Sequence, residues 1–187
     1  LYIAASLDGF IARENGELDW LPGGTGELNQ SEEDCGYEHF FDSIDTVLMG
    51  HKTYAQVLSF GIEYPYKTKQ SFVFTRASSP PNADKNVTFI NENAETFAKK
   101  LRNSPGKDIW LNGGAELISS FFEKNLVDEL ILFVIPTTIG KGIPLFPQTS
   151  VEKKLTLIES KSYDQGYTKG IVKLHYSVKN STESFKE

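Results

Sequence analysis

Three short segments combine residue types that suit phosphate. The first is Met49-Gly50-His51-Lys52-Thr53, which follows an apolar run and opens an amphipathic one. A strand that turns directly into a helix aims backbone N–H groups and the positive end of the helix dipole at one spot. Gly50 permits close approach, Lys52 adds charge and Thr53 a hydroxyl. The same residues also suit a tight turn with a threonine cap, and both readings stand at this level. The second segment is Asn112-Gly113-Gly114-Ala115-Glu116, again between an apolar run and an amphipathic one. Two adjacent glycines admit a pyrophosphate or a flat ring against the backbone, or serve as a flexible connector. They do not complete the Gly-x-Gly-x-x-Gly fingerprint of a common dinucleotide fold. The third is Thr75-Arg76, where an arginine at a strand end could grip a phosphate with two nitrogens or simply face solvent.

Two further segments are rich in turn residues and carry aromatic anchors. They are Ser6-Leu7-Asp8-Gly9-Phe10-Ile11-Ala12, leading to Asn15-Gly16 and Trp20, and Thr138 through Phe146, with Gly140 and Gly142. Cys35 is the single cysteine, so no intrachain disulfide and no cysteine-based zinc site is expected. Its acidic neighbours Glu32, Glu33 and Asp34 should raise the thiol pKa and speak against a nucleophilic role.

The elements that position these segments follow from periodicity. Short β-rich apolar runs predict eight strands: Leu1–Ala5, Asp45–Met49, Ser71–Thr75, Val87–Ile90, Asp108–Leu111, Glu129–Ile135, Lys154–Ser160 and Ile171–Val178. The first six are almost continuously apolar, as in a parallel sheet covered on both faces. The last two alternate and are joined by a polar stretch with Gly166 and Gly170, which predicts an antiparallel edge pair. Four helices fit between strands. Tyr37, Phe40, Phe41 and Ile44 mark one; the others are Thr53–Phe60, Asn93–Leu101 with Asn91 or Asn93 as cap, and Ala115–Lys124. This is an α/β protein read as one domain over residues 1–187. Its loops fall at Pro22–Gly26, Ala77–Lys85 and Asn103–Lys107, and its tail, Asn180–Glu187, is expected to fray.

Composition bounds the function. The chain has 187 residues, 39% hydrophobic and 24% charged, with a formal charge of -6. That balance argues against general electrostatic binding of nucleic acid but allows a small basic pocket. The longest apolar run is strand-sized, so no membrane span is expected. With one cysteine, a reducing cytoplasmic compartment is the simplest expectation. Leu1 lies inside a strand-like run with no methionine before it, so a few residues are expected to precede it.

Seven of these features come in a telling order: Ala-Ala-Ser-Leu-Asp-Gly-x-Ile-Ala from Ala4; Trp20; Met49-Gly50-x-x-Thr53; Thr75-Arg76; Gly113-Gly114; Val127-Asp128-Glu129-Leu130; and Gly140-Lys141-Gly142-x-x-Leu145-Phe146. From Leu1 to about Val178 the chain resembles the dihydrofolate-reductase-like family. Within it, the chain looks closest to the branch containing the reductase domain of the bifunctional riboflavin-biosynthesis deaminase-reductase. The resemblance implies about eight strands in a mostly parallel twisted sheet with an antiparallel C-terminal edge, and about four helices on both faces.

It also implies an NADPH-dependent oxidoreductase that delivers hydride to a small heterocyclic or ribosylaminopyrimidine substrate. Pterin reduction and a non-catalytic nucleotide-binding module are the alternatives. By the same resemblance the cofactor is held by Gly50, His51, Lys52, Thr53, Thr75, Arg76, Gly113 and Gly114, with Ala5, Ile11 and Ala12 around the nicotinamide. Asp8, Trp20 and Asp34 border the substrate, and Asp34 is the catalytic acid, with Glu33 and Glu38 as competitors. Phe133 stands where folate reductases carry a small hydroxyl residue, a departure from pterin chemistry. The resemblance brings no metal and no deaminase zinc site. Partners are limited to a small-molecule substrate, with no nucleic acid and no membrane, and a homodimer is left open. From the spacing Asp34–Tyr37, Asp34 is expected on the inward face of the first helix.

Overall fold

A computed structural model describes residues 1–22, 34–76, 84–147, 152–165 and 168–179. Glu32, Glu33, Gly166, the tail 180–187 and most of the loops expected at Pro22–Gly26 and Ala77–Lys85 lie outside the described residues. In chain order the elements are β1 (Tyr2–Ser6), β2 (Phe10–Ala12), α1 (Tyr37–Ser43), β3 (Ile44–Gly50), α2 (His51–Ser59), β4 (Gln70–Phe74), β5 (Val87–Ile90), α3 (Ala94–Arg102), β6 (Asp108–Gly113), α4 (Ala115–Glu123), β7 (Glu129–Ile135), β8 (Ile143–Pro144), β9 (Leu155–Gln165) and β10 (Thr168–Val178). All eight expected strands and all four helices form. The strands β2 and β8 are additional; they have three and two residues, too few for an alternating pattern to show.

The chain divides into two compact units, one of Leu1–Gly36 with Val127–Glu187 and one of Tyr37–Leu126. The first unit holds a four-stranded sheet in the order β1-β7-β10-β9 and the ribbon β2-β8. β1 lies parallel to β7, whereas β10 is antiparallel to both β7 and β9. Side chains on one face alternate along β1 and β7, where Tyr2, Ala4, Ile131, Phe133 and Ile135 gather around Trp20, Cys35, Tyr163 and Ile171. Gly170 takes φ +76 at a register shift in β10 and donates its N–H to Asp164. It bends the hairpin as a bulge.

The second unit holds a fully parallel sheet in the order β5-β4-β3-β6. Its strands read as apolar runs because both faces are covered. On one face Trp110 of β6 meets Tyr37 and Phe40 of α1, and Phe89 of β5 meets Tyr54 of α2. On the other, Phe97 of α3 packs on Phe72 and Phe74, and Phe121 of α4 reaches Phe74. The expectation of about eight strands in a mostly parallel sheet is therefore corrected. The described residues form ten strands in two four-stranded sheets and a ribbon, and only one of the four-stranded sheets is wholly parallel. The reason is that strand-sized apolar runs reveal burial and not the neighbour each strand takes.

Candidate functional site

In the parallel sheet the strands β4, β3 and β6 are adjacent and run the same way, so their carboxyl ends share one edge. That edge carries Thr75-Arg76, Gly50 and Gly113-Gly114. Gly50 is the N-cap of α2 and Gly114 the N-cap of α4, and neither helix start has a side-chain cap hydrogen bond. Helix starts carry N–H groups without intrahelical acceptors, together with a partial positive charge. The two starts lie close together. A methyl on Gly50 would stand 3.8 Å from the Gly114 nitrogen, and one on Gly114 would stand 3.2 Å from the Thr53 hydroxyl. Gly113 adopts φ +134, a conformation that favours glycine, and the Gly113–Gly114 peptide is cis. Two helix starts without side-chain caps and a threonine hydroxyl at one edge make a cradle that could hold a pyrophosphate-sized anion.

Exposed polar side chains follow the same strand ends. Arg76 is exposed just beyond β4, and Thr75 donates its N–H to the Ile90 carbonyl. His51 is exposed in the first turn of α2. Lys52 stands 3.9 Å from Glu116 of α4, both side chains almost fully in solvent. Glu116 belongs to the second phosphate-compatible segment but was not among the expected cofactor residues. Also missed is Tyr66, whose hydroxyl accepts from Asn112 Nδ2 at 3.2 Å. The alternation Tyr64-Pro65-Tyr66 hinted that this segment packs inward. Burial pushes the Tyr64 phenol up to about 12 and raises that of Tyr66 as well.

In the first unit the Ser6–Ala12 and Thr138–Phe146 segments meet. Asp8 Oδ1 accepts from the Ser6 hydroxyl at 2.6 Å, and the carboxylate accepts the N–H groups of Ile139 and Gly140. The Ser6 bond leads in holding the Asp8 pKa below its usual value. The Leu145 N–H donates to the Gly9 carbonyl, and β2 pairs with β8. Gly142 is packed so closely on the Ala12 carbonyl that a Cβ would overlap it. Asp8 thus clamps two loops distant in sequence. A cavity of about 410 Å³ opens beside the clamp, with Ala5, Leu7, Leu132, Val134 and Phe146 among its walls and Asp8 as the one charged lining residue among those described. Ile11 and Ala12 sit in β2.

Trp20 is buried, and its Nε1 has no hydrogen-bond partner among the described residues. The Phe133 ring packs on Tyr2 and Tyr163, so this position offers no hydroxyl to an acid. The expected placement of Asp34 is corrected. α1 begins at Tyr37, and Asp34 is an exposed residue ahead of it whose Oδ1 accepts the Gly36 N–H at 2.8 Å. Cys35 at φ +54 and Gly36 at φ +83 turn the chain between them, so helical spacing does not reach Asp34. Glu38 is exposed in the first turn of α1.

Residues 1–169 match the family described as RibD C-terminal domain. The Bacillus subtilis (strain 168) protein YwjB, itself uncharacterized, is 43% identical over 176 residues, covering 94% of this chain and 95% of its own. A crystal structure from Shewanella sp. PV-4, of a protein assigned provisionally to riboflavin biosynthesis, superposes with a TM-score of 0.82 at 26% identity. It covers 96% of this chain and 97% of its own. The Thermotoga maritima diaminohydroxyphosphoribosylaminopyrimidine deaminase/5-amino-6-(5-phosphoribosylamino)uracil reductase shares the fold, with a TM-score of 0.63 at 16% identity. The match covers 94% of this chain and 55% of that one. With glycine-capped helix starts on a parallel sheet, and a family match along most of its length, the chain belongs to the RibD C-terminal domain family.

Proposed function

We propose that this protein is an NADPH-dependent reductase acting on a C=N or C=O bond of a small heterocycle or its sugar. The observation that carries the reading is the pair of uncapped helix starts at one sheet edge, Gly50 with Thr53 and Gly113 with Gly114. They fit a pyrophosphate because they present backbone donors, positive dipole ends and no Cβ at either cap. Thr75 and Arg76 would take the adenosine side and its 2′-phosphate, and Lys52 would add charge. Ala5, Ile11 and Ala12 would border the nicotinamide. When bound, the cofactor supplies the hydride, and the protein supplies placement and electrostatics.

The substrate side is read more coarsely. The similarity to a 5-amino-6-(5-phosphoribosylamino)uracil reductase supports a related heterocycle. Arg13 is forked onto Asp19 at 2.6 and 2.9 Å, and Lys141 lies 3.2 Å from Glu14. These cations are already matched by acids, which favours a substrate without a phosphate there. Phe133 supports a non-pterin ring. Asp8 and Trp20 would border the substrate, and Asp34 would assist protonation, with Glu38 as the competing acid.

Fluorescence titration with NADPH and NADH tests the cofactor. NADPH should bind more tightly, and Arg76→Ala should weaken NADPH by roughly 10- to 100-fold, the share of a charge-assisted contact, while sparing NADH. Equal losses for both would remove the 2′-phosphate role. On a heterocycle panel, Asp34→Asn should lower turnover by roughly 10²–10⁴ with cofactor binding intact. Wild-type turnover in that variant would move the role to Glu38 or a bound water.

A further inference from the structure

The glycines that make the Gly113-Gly114 turn have no side chains by which the core could hold them. The sheet pairs Gly113 with Met49 but skips the residue before it. In the pairing of β3 with β6, Leu48 faces Leu111 and Met49 faces Gly113, so Asn112 is a bulged residue without a partner in that ladder. Its side chain supplies a further anchor. Asn112 Nδ2 donates to the Tyr66 hydroxyl at 3.2 Å.

Tyr66 is itself fixed. Four buried aromatic residues stand edge to face in a row: Tyr54 to Tyr64 at 5.8 Å, Tyr64 to Tyr66 at 5.4 Å, and Tyr66 to Trp110 at 5.2 Å. The Tyr64 hydroxyl bonds the Ser71 hydroxyl at 2.8 Å, in the fully buried heart of β4. One end of the row is Tyr54, the residue after Thr53 on α2. The other is Trp110, on the same face of β6 as Asn112. The row therefore runs from α2 to β6. Quadrupole contacts fix ring orientation as well as distance, so the row is a stiff spacer.

We propose that Tyr66 is a positioning residue: through Asn112 it sets the pose of the Gly113-Gly114 turn against Thr53, and thereby the affinity of the cradle for the cofactor pyrophosphate. The affinity consequence rests on the cofactor reading given above; the effect on the turn does not. Bulged backbone next to two glycines has a broad range of conformations, and one side-chain bond removes much of it.

The test uses Tyr66→Phe, which keeps the ring and its contacts and removes only the hydroxyl. In protein labelled with ¹⁵N-glycine, the Gly113 and Gly114 amide signals should shift or broaden without any ligand, while glycines remote from the turn stay in place. The NADPH dissociation constant should rise roughly five- to tenfold, the worth of one hydrogen bond transmitted to the site. Asn112→Ala should do the same, and the double variant should add little, because both break one contact. Asn93→Ala, which lowers stability elsewhere, is the control and should leave the affinity unchanged. Unmoved Gly113 and Gly114 signals, or an NADPH affinity within twofold of wild type in both single variants, would overturn the proposal. If wild type does not bind NADPH, the cofactor reading fails and the glycine signals alone decide whether Tyr66 sets the turn.

Discussion

Helices α2, α3 and α4 are nine residues each and all follow strands, yet they begin in two different ways. α3 starts at Asn93, whose side chain accepts the Thr96 N–H at 3.1 Å. It continues with Glu95 in the first turn and Lys99, Lys100 and Arg102 in the last, the charge order that suits its dipole. α2 and α4 start at glycines and have no side-chain cap. α2 also lacks an acid in its first turn, where it carries Lys52 instead. A side-chain cap is worth about 1 kcal/mol relative to alanine, and the sequence could have placed one at each start. The difference teaches that α3 is finished from within the chain. α2 and α4 are left without a side-chain cap, and their starts lie side by side.

That contrast can be broken at its tightest point. Gly114→Val would set a branched side chain against the Thr53 hydroxyl, which a single Cβ already approaches at 3.2 Å. Loss of the backbone contacts to a bound pyrophosphate should weaken NADPH on the order of 100-fold or more. Circular dichroism should show a folded protein. Unchanged affinity in that folded variant would reduce the glycine pair to a connector.

A second variant turns the start of α2 into one like that of α3. Gly50 has φ -81 and ψ 158, and its Cβ would have ordinary contacts, so Gly50→Asp fits sterically. Its carboxylate would cap α2 and face the same space as the phosphates. Helix stability should rise by a few tenths of a kcal/mol relative to glycine. NADPH affinity should fall by about tenfold from like-charge repulsion, with a loss that shrinks as salt is added. Thermal unfolding and a titration at two ionic strengths check both signs. A cap that leaves cofactor binding intact would separate α2 from the site.

The reverse change sharpens the contrast with the smallest effect on the ligand. Asn93→Ala should destabilise the fold by about 1 kcal/mol, visible as a drop of roughly 2–4 °C in Tm. NADPH affinity should stay within twofold of wild type. A large loss of affinity there would mean that α3 belongs to the binding machinery.

Much of this was legible in the residues because it is local. Alternation and helical spacing are written within a dozen positions, and they mark the eight main strands and four helices. Glycines at strand-to-helix junctions are equally local, so Gly50, Gly113 and Gly114 stood out before any contact was known. Even the cap of α3 could be narrowed to Asn91 or Asn93, of which Asn93 is the one used, because a cap acts only three residues away.

What lies beyond that range was decided by tertiary structure. Asp8 stood out as a residue that would border the substrate, but nothing local showed that its carboxylate also closes on Ile139 and Gly140, more than 130 positions on. Asp34 looked helical by spacing, until a left-handed turn at Cys35 and Gly36 took it off the helix. The strands β2 and β8 exist only as a pair, since neither has enough residues to declare itself. The sequence by itself determined which segments form elements and where phosphate-compatible turns occur. Only the fold decided that Gly50 and Gly114 lie side by side, and that Tyr66 reaches Asn112 across 46 positions. The physical reason is that periodicity and capping are settled by near neighbours. A contact between distant residues forms only when many others close the same loop, and no local pattern records which loop that will be.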